Sequence, residues 1–381
     1  MIVKAIITSD WHLGKRQFAA TEGGRNRREM DIEAAASRAV DIIVETQPDL
    51  VLIGGDTFDS VRPSMHAICA WRECVRRIVR ASPAEIIVVL GNHEAGRTSE
   101  TLSPVVVVQG EPRVHVATTP RRIRIRLRDG TLASIACFPF LALAREETYA
   151  LEPDPEADHD VLLMHAAVKS SAEPGVLPYF YQGPTSIDVS REAHRFDVVG
   201  LGDYHTYTEL VPGRCVVYPG SIERTSSDIW HEPEPKGLVV YEDGAHRFVE
   251  IETRPVLDVE PRDCTPDYLD PTQLYGFAEV NAAVQGLLDA STTKDAIVRL
   301  VAENFPRQDR DRIDWSLVRE LKHRALHFEL TLRLASADDI DQVDRRLHAT
   351  PLIDQARQFL AADPEPVRDC ALSYLEPREA A

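Results

Sequence analysis

Five short segments of the 381-residue chain carry side chains able to hold metal ions. They are Asp10-Trp11-His12, Gly54-Gly55-Asp56, Gly91-Asn92-His93-Glu94, His165 after Val161-Leu162-Leu163-Met164, and Gly202-Asp203-Tyr204-His205. Carboxylates, imidazoles and one amide without a thiolate suit Mn²⁺, Mg²⁺ or Fe²⁺ more than structural zinc. The donors suffice for two ions. Two ions about 3.5–4 Å apart clamp a phosphate and acidify a shared water for in-line attack on phosphorus. Singly, each segment has an ordinary explanation: a hydrogen-bonded histidine, a helix cap or a turn aspartate. Their repetition argues for a site, because each follows an apolar stretch that reads as a strand. In open α/β sheets the functional crevice lies beyond the carboxyl ends of the strands.

The elements that must position these groups follow from periodicity. Strands are predicted at 3–9, 49–54, 86–90, 113–117, 121–128, 132–138, 160–165, 196–201, 215–218, 237–242 and 246–252, many rich in Val and Ile. Between them, 28–46 reads as a helix with Ile32, Ala35, Ala36, Ala39, Val40 and Ile43 on one face. A second helix at 64–80 follows the start signal Arg62-Pro63-Ser64. The pattern is that of sheets covered by helices. The Pro- and Asp-rich stretch 253–273 reads as a linker into a smaller α+β unit. That unit has helices near 274–290 and 315–324 and strands at 295–301 and 326–334. Two short helices near 338–348 and 352–361, with Leu347, Leu352, Ile353, Ala356 and Leu360 as an apolar stripe, suit either partner docking or a helical edge of the small unit.

Composition is that of a globular protein, 44% hydrophobic and 27% charged. No run of 18 apolar residues suggests a membrane span, and the beginning reads as a strand, not a signal peptide. Six cysteines without a CxxC pair fit a reduced, cytoplasmic setting. The formal net charge of −18 runs against the basic surface usual in nucleic-acid binders. Bound cations offset it locally, and basic clusters exist at Arg25, Arg27 and Arg28 and at Arg121, Arg122, Arg124, Arg126 and Arg128. The second cluster alternates with Ile123, Ile125 and Leu127, giving a strand with one basic face. That face fits DNA contact or plain solvation equally.

The series DWH, GGD, GNHE, LLMH and GDYH resembles the five motifs of calcineurin-like metallophosphoesterases. DWHLGKRQF, GGDTFDSVRPS and YPGSIERTS resemble more narrowly the SbcD family of bacterial nucleases, which is related to the catalytic subunit of the archaeal and eukaryotic double-strand-break repair complex. The similarity runs to about residue 255. It is looser beyond, through IVRL at 297–300 and LVRELKHRALHFEL at 317–330.

The resemblance implies an α/β (α+β) fold: a two-sheet metallophosphoesterase sandwich flanked by helices over 1–255, a smaller α+β capping, DNA-binding domain over 256–335, and C-terminal helices and tail over 336–381. It implies that Asp10, His12, Asp56 and His205 hold one metal, and that Asp56 bridges to a second held by Asn92, His165 and Asp203. His93 would stabilise the transition state or protonate the leaving oxygen without binding metal. Asp59, spaced from Asp56 as in protein phosphatases, would orient His93. Arg16, Arg62 and Arg224 within the longer stretches are the expected DNA contacts. The implied activity is a Mn²⁺-dependent DNA exonuclease and endonuclease in repair and end processing, with Mg²⁺ or Fe²⁺ as other metals. A homodimer through helices 28–46 and 64–80 and a coiled-coil ATPase of the SbcC type docked on 338–361 are the implied partners, in the cytoplasm at the nucleoid.

One departure stands out: the family's usual Gly-His-x-His is here Gly202-Asp203-Tyr204-His205. Two other functions fit the five motifs. One is a phosphatase or phosphodiesterase acting on small nucleotides or other phosphoesters. The other is a non-catalytic DNA-binding scaffold, which the retention of seven coordinating side chains opposes.

Overall fold

The structure is a computed structural model that describes residues 3–96, 101–140, 152–169, 187–188, 195–264 and 275–334. The chain divides into two compact units, Met1–Arg254 and Pro255–Ala381.

The first unit is a sandwich of two six-stranded sheets. In order across the first sheet run β16 (Ala245–Glu250), β15 (Gly237–Glu242), β1 (Lys4–Thr8), β4 (Leu50–Ile53), β5 (Glu85–Val89) and β6 (Val114–Ala117). Strands β1, β4, β5 and β6 are parallel, and β15 and β16 close one edge antiparallel. The second sheet runs β13 (Thr208–Glu209), β14 (Cys215–Tyr218), β12 (Val198–Gly202), β9 (His159–His165), β8 (Leu132–Phe138) and β7 (Arg121–Arg126). Its four middle strands are also parallel. A small hairpin, β2 (Thr21–Glu22) with β3 (Arg25–Asn26), and a parallel pair, β10 (Val168–Lys169) with β11 (Ile187–Asp188), complete the unit.

Strand period two explains the layering. Ile7, Leu52, Ile87 and Val89 of the first sheet pack on Ile135, Leu163 and Val217 of the second. The alternate residues Ile6, Val51, Ile53, Ile86 and Val88 face helices α1 (Arg27–Thr46) and α2 (Met65–Ala81). Helix α1 starts where the Asn26 side chain accepts from Arg28 N and Glu29 N. It buries Ile32, Ala35, Ala36, Ala39, Val40 and Ile43, the face expected from the sequence. Helix α2 is capped by Ser64, whose hydroxyl accepts from Ala67 N at 3.1 Å.

The arginine-bearing strand β7 ends at Arg126, short of the expected 128, because the chain turns at Gly130 with φ 91° and Leu127 N donates to Thr131 O. Three of the basic cluster's cations meet acids, and Arg126 bonds Gly130 O. Arg124 holds Asp154 with two nitrogens, at 2.7 and 2.8 Å, and Arg128 meets Asp49 at 2.6 Å. Arg122 bonds Ser134 and lies 3.5 Å from Asp160. Of the two readings of this face, the geometry favours a solvated, partly neutralised one.

The second unit packs α4 (Phe277–Asp289) and α5 (Trp315–Arg324) on a parallel sheet of β17 (Val256–Val259), β18 (Ile297–Phe305) and β19 (His327–Leu334). The expected linker is therefore corrected. Val256–Val259 pairs along β18, and Pro261–Cys264 forms a helical turn, α3. Proline and aspartate suggested a linker, but Pro255 and Pro261 flank the strand and leave its amides free to pair. The helices expected at 338–348 and 352–361 lie outside the described residues.

Candidate active site

All five chemical segments leave the carboxyl ends of parallel strands. Asp10 and His12 follow β1, Asp56 follows β4, and Asn92 and His93 follow β5 in the first sheet. In the second, His165 ends β9, and Asp203 and His205 follow its neighbour β12. The site thus sits where adjacent strand ends of two sheets meet, and not at the edge of one open sheet.

The loops keep strand-like pairing past the strand ends. Asp10 N donates to Gly55 O at 3.0 Å, and His12 N donates to Asp56 O at 2.9 Å. Trp11 is buried between them, edge-on to Trp71 of α2, with its Nε1 bonded to Thr8 Oγ1. It anchors the turn while its neighbours meet in the site. Asp10, His12, Asp56 and Asp203 all have positive φ, at 53°, 47°, 49° and 104°. Such backbone is uncommon outside glycine and concentrates at functional sites.

The side chains converge through their Nε2 atoms. His12 Nε2 and His205 Nε2 are 3.1 Å apart, and His12 Nε2 is 3.8 Å from Asp56 Oδ2. His165 Nε2 is 3.6 Å from Asp56 Oδ2, 3.7 Å from Asp203 Oδ1 and 3.0 Å from Asn92 Oδ1. His205 Nε2 is 4.0 Å from Asp10 Oδ1. The Nδ1 atoms turn outward: those of His165 and His205 bond Gly54 O at 2.7 Å and Glu232 at 3.0 Å, while that of His12 stands 3.4 Å from Asp59 Oδ1 without a hydrogen bond. Asp10, His12, Asp56 and His165 are buried, His205 and Asp203 are half-buried, and Asn92 and His93 are exposed. The site is a deep acidic floor with an open mouth.

Among the described residues, three groups have ligand atoms all within 4.8 Å of one another: Asp10-His12-His205, His12-Asp56-His93, and Asp10-Asp56-His165. The first holds three of the four residues expected around one metal. The third joins Asp10, expected at the first metal, to Asp56 and His165. Asn92 and Asp203 reach this floor through His165. His93, expected to stay off metal, lies close enough to be a ligand, with Nε2 3.9 Å from Asp56 Oδ2.

The electrostatics also suit cations. Burial raises the Asp10 carboxyl, with Asp56 adding to the shift. Burial lowers His12 to about 4, so its imidazole is a neutral donor of a lone pair. Burial alone would lower His165, but Asp56, Asp203 and Asp10 together push it up to about 10. The carboxylates thus form a well that draws a proton, and a divalent cation competes for the same place. The Asn92 amide makes the same point. Turned over, it would place its nitrogen 2.9 Å from Asp56 Oδ2 to suit the bare carboxylate, whereas the oxygen in that place beside His165 Nε2 suits a cation. The donor set fits divalent metals.

Asp59 meets His93 chiefly through its main chain. Its backbone carbonyl accepts from His93 Nδ1 at 3.0 Å, while its carboxylate, 3.8 Å from that nitrogen, meets Lys15 at 3.0 Å and faces His12. Among the expected DNA contacts, Arg16 is exposed and bonds Glu29 at 3.1 Å, and Arg62 is exposed. The Arg224 guanidinium is taken up by Glu232 O at 2.8 Å, Pro233 O at 3.3 Å and Thr253 Oγ1 at 2.9 Å, which fits loop bracing better than phosphate contact.

Two acids escaped the sequence reading. Glu94, quoted only as part of a motif, is buried behind Asp56 and accepts from Gly91 N at 2.9 Å. Burial and Asp56 raise it to about 8. Glu232 backs His205 from a loop with no motif of its own.

A family model, calcineurin-like phosphoesterase, matches residues 3–207, which include every residue of the convergent floor. The chain belongs to the calcineurin-like phosphoesterase family. This family implies divalent metals, and the Asp/His groups above are able to hold them. The sandwich of two sheets with helices outside is the mixed α/β architecture of that family. Within it, the chain is similar to a DNA double-strand break repair protein Mre11 of Saccharolobus solfataricus, 24% identical over 67% of this chain and 62% of that protein. It is 26% identical to another from Methanopyrus kandleri, over 63% of this chain and 51% of the relative. It is 28% identical to a subunit of the SbcCD nuclease of Rhodobacter capsulatus over 46% of each. The chain spans about half to three-fifths of the length of these relatives.

Proposed function

We propose that this phosphoesterase is a DNA nuclease that hydrolyses phosphodiester bonds with two divalent cations, Mn²⁺ the most effective. The observation that carries the reading is the trio of overlapping ligand groups sharing Asp10, His12 and Asp56 at adjoining strand ends. The names of the relatives support DNA as the substrate. Asp10, His12, Asp56 and His205 would hold one cation, and Asp56, Asn92, His165 and Asp203 the other. Two cations so held supply charge neutralisation at phosphorus and acidification of the attacking water.

The remaining work falls to protein groups. His93 stands at the exposed mouth with Nδ1–H fixed on Asp59 O, leaving Nε2 turned inward. In its protonated form it donates from Nε2 to the departing oxygen. Lys15 neutralises Asp59 and keeps the loop after β1 against the loop after β4. Extending the reading to assembly, residues 338–361 dock a coiled-coil ATPase of the SbcC type, and the α1–α2 surface pairs two copies. Pull-down with a chain lacking 336–381 tests the docking; undiminished binding places that interface elsewhere.

The deciding experiment is incubation of the purified chain and Mn²⁺ with linear duplex DNA and, separately, with a small chromogenic phosphodiester. Degradation of the duplex, abolished by EDTA, is expected. Cleavage of the small ester alone would assign the site to small phosphoesters, a reading that the net charge of −18 favours. Full activity in EDTA would remove metal from the mechanism.

A further inference from the structure

We propose that Glu232 is a positioning residue for the metal centre, holding His205 in the tautomer that presents Nε2 to a cation. The inference rests on the two-metal reading above and extends it to a residue outside the five motifs.

The geometry assigns the two ring nitrogens of His205 to opposite sides. Nδ1 is 3.0 Å from Glu232 Oε1, while Nε2 is 3.1 Å from His12 Nε2 and 4.0 Å from Asp10 Oδ1. A carboxylate only accepts, so the ring proton belongs on Nδ1 and the lone pair on Nε2. A carboxylate behind a metal-binding imidazole fixes its orientation and raises its basicity.

Glu232 is built to stay where it is. Its carboxylate also accepts from Lys236 Nζ at 2.8 Å, Ser226 N at 3.0 Å, Thr225 N at 3.3 Å and the Ser226 hydroxyl. Both Glu232 and Lys236 are buried. Its backbone oxygen is tied by Arg224 Nε at 2.8 Å. The same loop grips the His205 main chain, since Lys236 Nζ and Ser221 N donate to His205 O at 2.8 and 3.1 Å. The buried Arg28 of α1 donates to Arg224 O at 2.9 Å and joins the loop to the helix layer. Thus Ser221, Glu232 and Lys236 converge on one histidine, its ring and its main chain. By comparison, His165 Nδ1 rests on a neutral backbone carbonyl, and His12 Nδ1 is 3.4 Å from an aspartate that Lys15 also holds. A purely structural Glu232 would serve only to neutralise Lys236, and its loss would leave cation affinity unchanged.

Glu232→Gln separates these roles. An amide cannot accept from His205 on one side and from Lys236 and Thr225 N on the other, because one end is an NH₂. Mn²⁺ calorimetry on the full chain should find two ions bound by the wild type. In Glu232→Gln one of them should weaken by about 10–100-fold, with the other unchanged. Lys236→Met, which keeps the Glu232–His205 bond but frees His205 O, should lower thermal stability and weaken the same ion by less than Glu232→Gln does. Nitrogen-15 spectra of the Cd²⁺-loaded wild type give a reading that needs no variant: His205 should be protonated at Nδ1 and coupled to cadmium at Nε2. The opposite assignment, or two undiminished Mn²⁺ sites in Glu232→Gln, would overturn the role of Glu232 alone. A wild type that takes up no Mn²⁺ would overturn the two-metal reading and this inference with it.

Discussion

Two halves of one site are held by different physics. Around Asp56 and His165 the backbone does the holding. Gly54 O fixes His165 Nδ1, and three glycines leave no room for a side chain. A Cβ on Gly91 would lie 2.0 Å from Asp56 Oδ1, one on Gly55 2.6 Å from His165 Nδ1, and one on Gly202 2.1 Å from Gly54 O. Around His12 and His205 charged side chains hold the site through Asp59, Lys15, Glu232 and Lys236. The first half should be sensitive to added volume, the second to changed charge.

The largest effect is expected where the halves join. Asp56 belongs to two of the three ligand groups. Asp56→Asn should cost both cations and reduce hydrolysis to the level of the metal-stripped protein, read by metal content and rate together. Retention of one tightly bound ion would show that the halves are independent. Next is His93→Ala, expected to lower the rate by about 10²–10⁴-fold with both cations retained. Because His93 also lies in a ligand group with His12 and Asp56, metal content is the decisive reading. Loss of an ion would make His93 a ligand.

Gly91→Ala probes the backbone-held half. The added methyl meets Asp56 Oδ1 and Asp56 N, the latter at 2.3 Å, so the loop after β4 or the loop after β5 must shift. Overpacking of this kind costs about 1–3 kcal/mol. A lower melting temperature should accompany loss of the His165-side cation, with the His205-side cation retained. Unchanged stability and metal content would show that the glycines are not what holds this half.

The same contrast explains what the sequence made legible. Glycines beside Asp56, Asn92 and Asp203, each after an apolar strand, marked the candidate ligands, and the helical face of α1 was readable from Ile32 to Ile43. Short-range periodicity carries that information. The charge-held half depends on contacts between distant residues: Glu232 reaches His205 across 27 positions, and the Asp59 carboxylate lies nearer His12 than His93. Nothing in HEPEPK sets Glu232 apart from Glu234 until the loop closes on the ring. The positive φ of Asp10, His12, Asp56 and Asp203 was equally hidden, because Asp and His there look like ordinary turn residues. Strand β17 was missed for a related reason, since its pairing partner β18 begins 38 residues after Val259.

The smallest expected effect falls on Asp203, which touches both halves. Its backbone N–H donates to Asp10 Oδ1 and Oδ2 at 3.2 and 3.3 Å, while its carboxylate stands 3.7 Å from His165 Nε2. Where related motifs carry histidine, this site gains a third carboxylate beside Asp10 and Asp56. Asp203→His keeps the main-chain bond to Asp10. It adds little backbone strain, because histidine, like aspartate, is enriched among residues with positive φ. What changes is one anionic oxygen for one neutral nitrogen. Hard oxygen donors favour Mg²⁺, and imidazole favours the later transition metals. Asp203→His should therefore bind two ions and remain active, while its rate with Mg²⁺ falls several-fold relative to its rate with Mn²⁺. Asp203→Ala is the control, since it removes the donor altogether and should release the His165-side cation. If Asp203→Ala kept both ions and the full rate, the carboxylate would have no part in the site, and the aspartate would serve only through its backbone bond to Asp10.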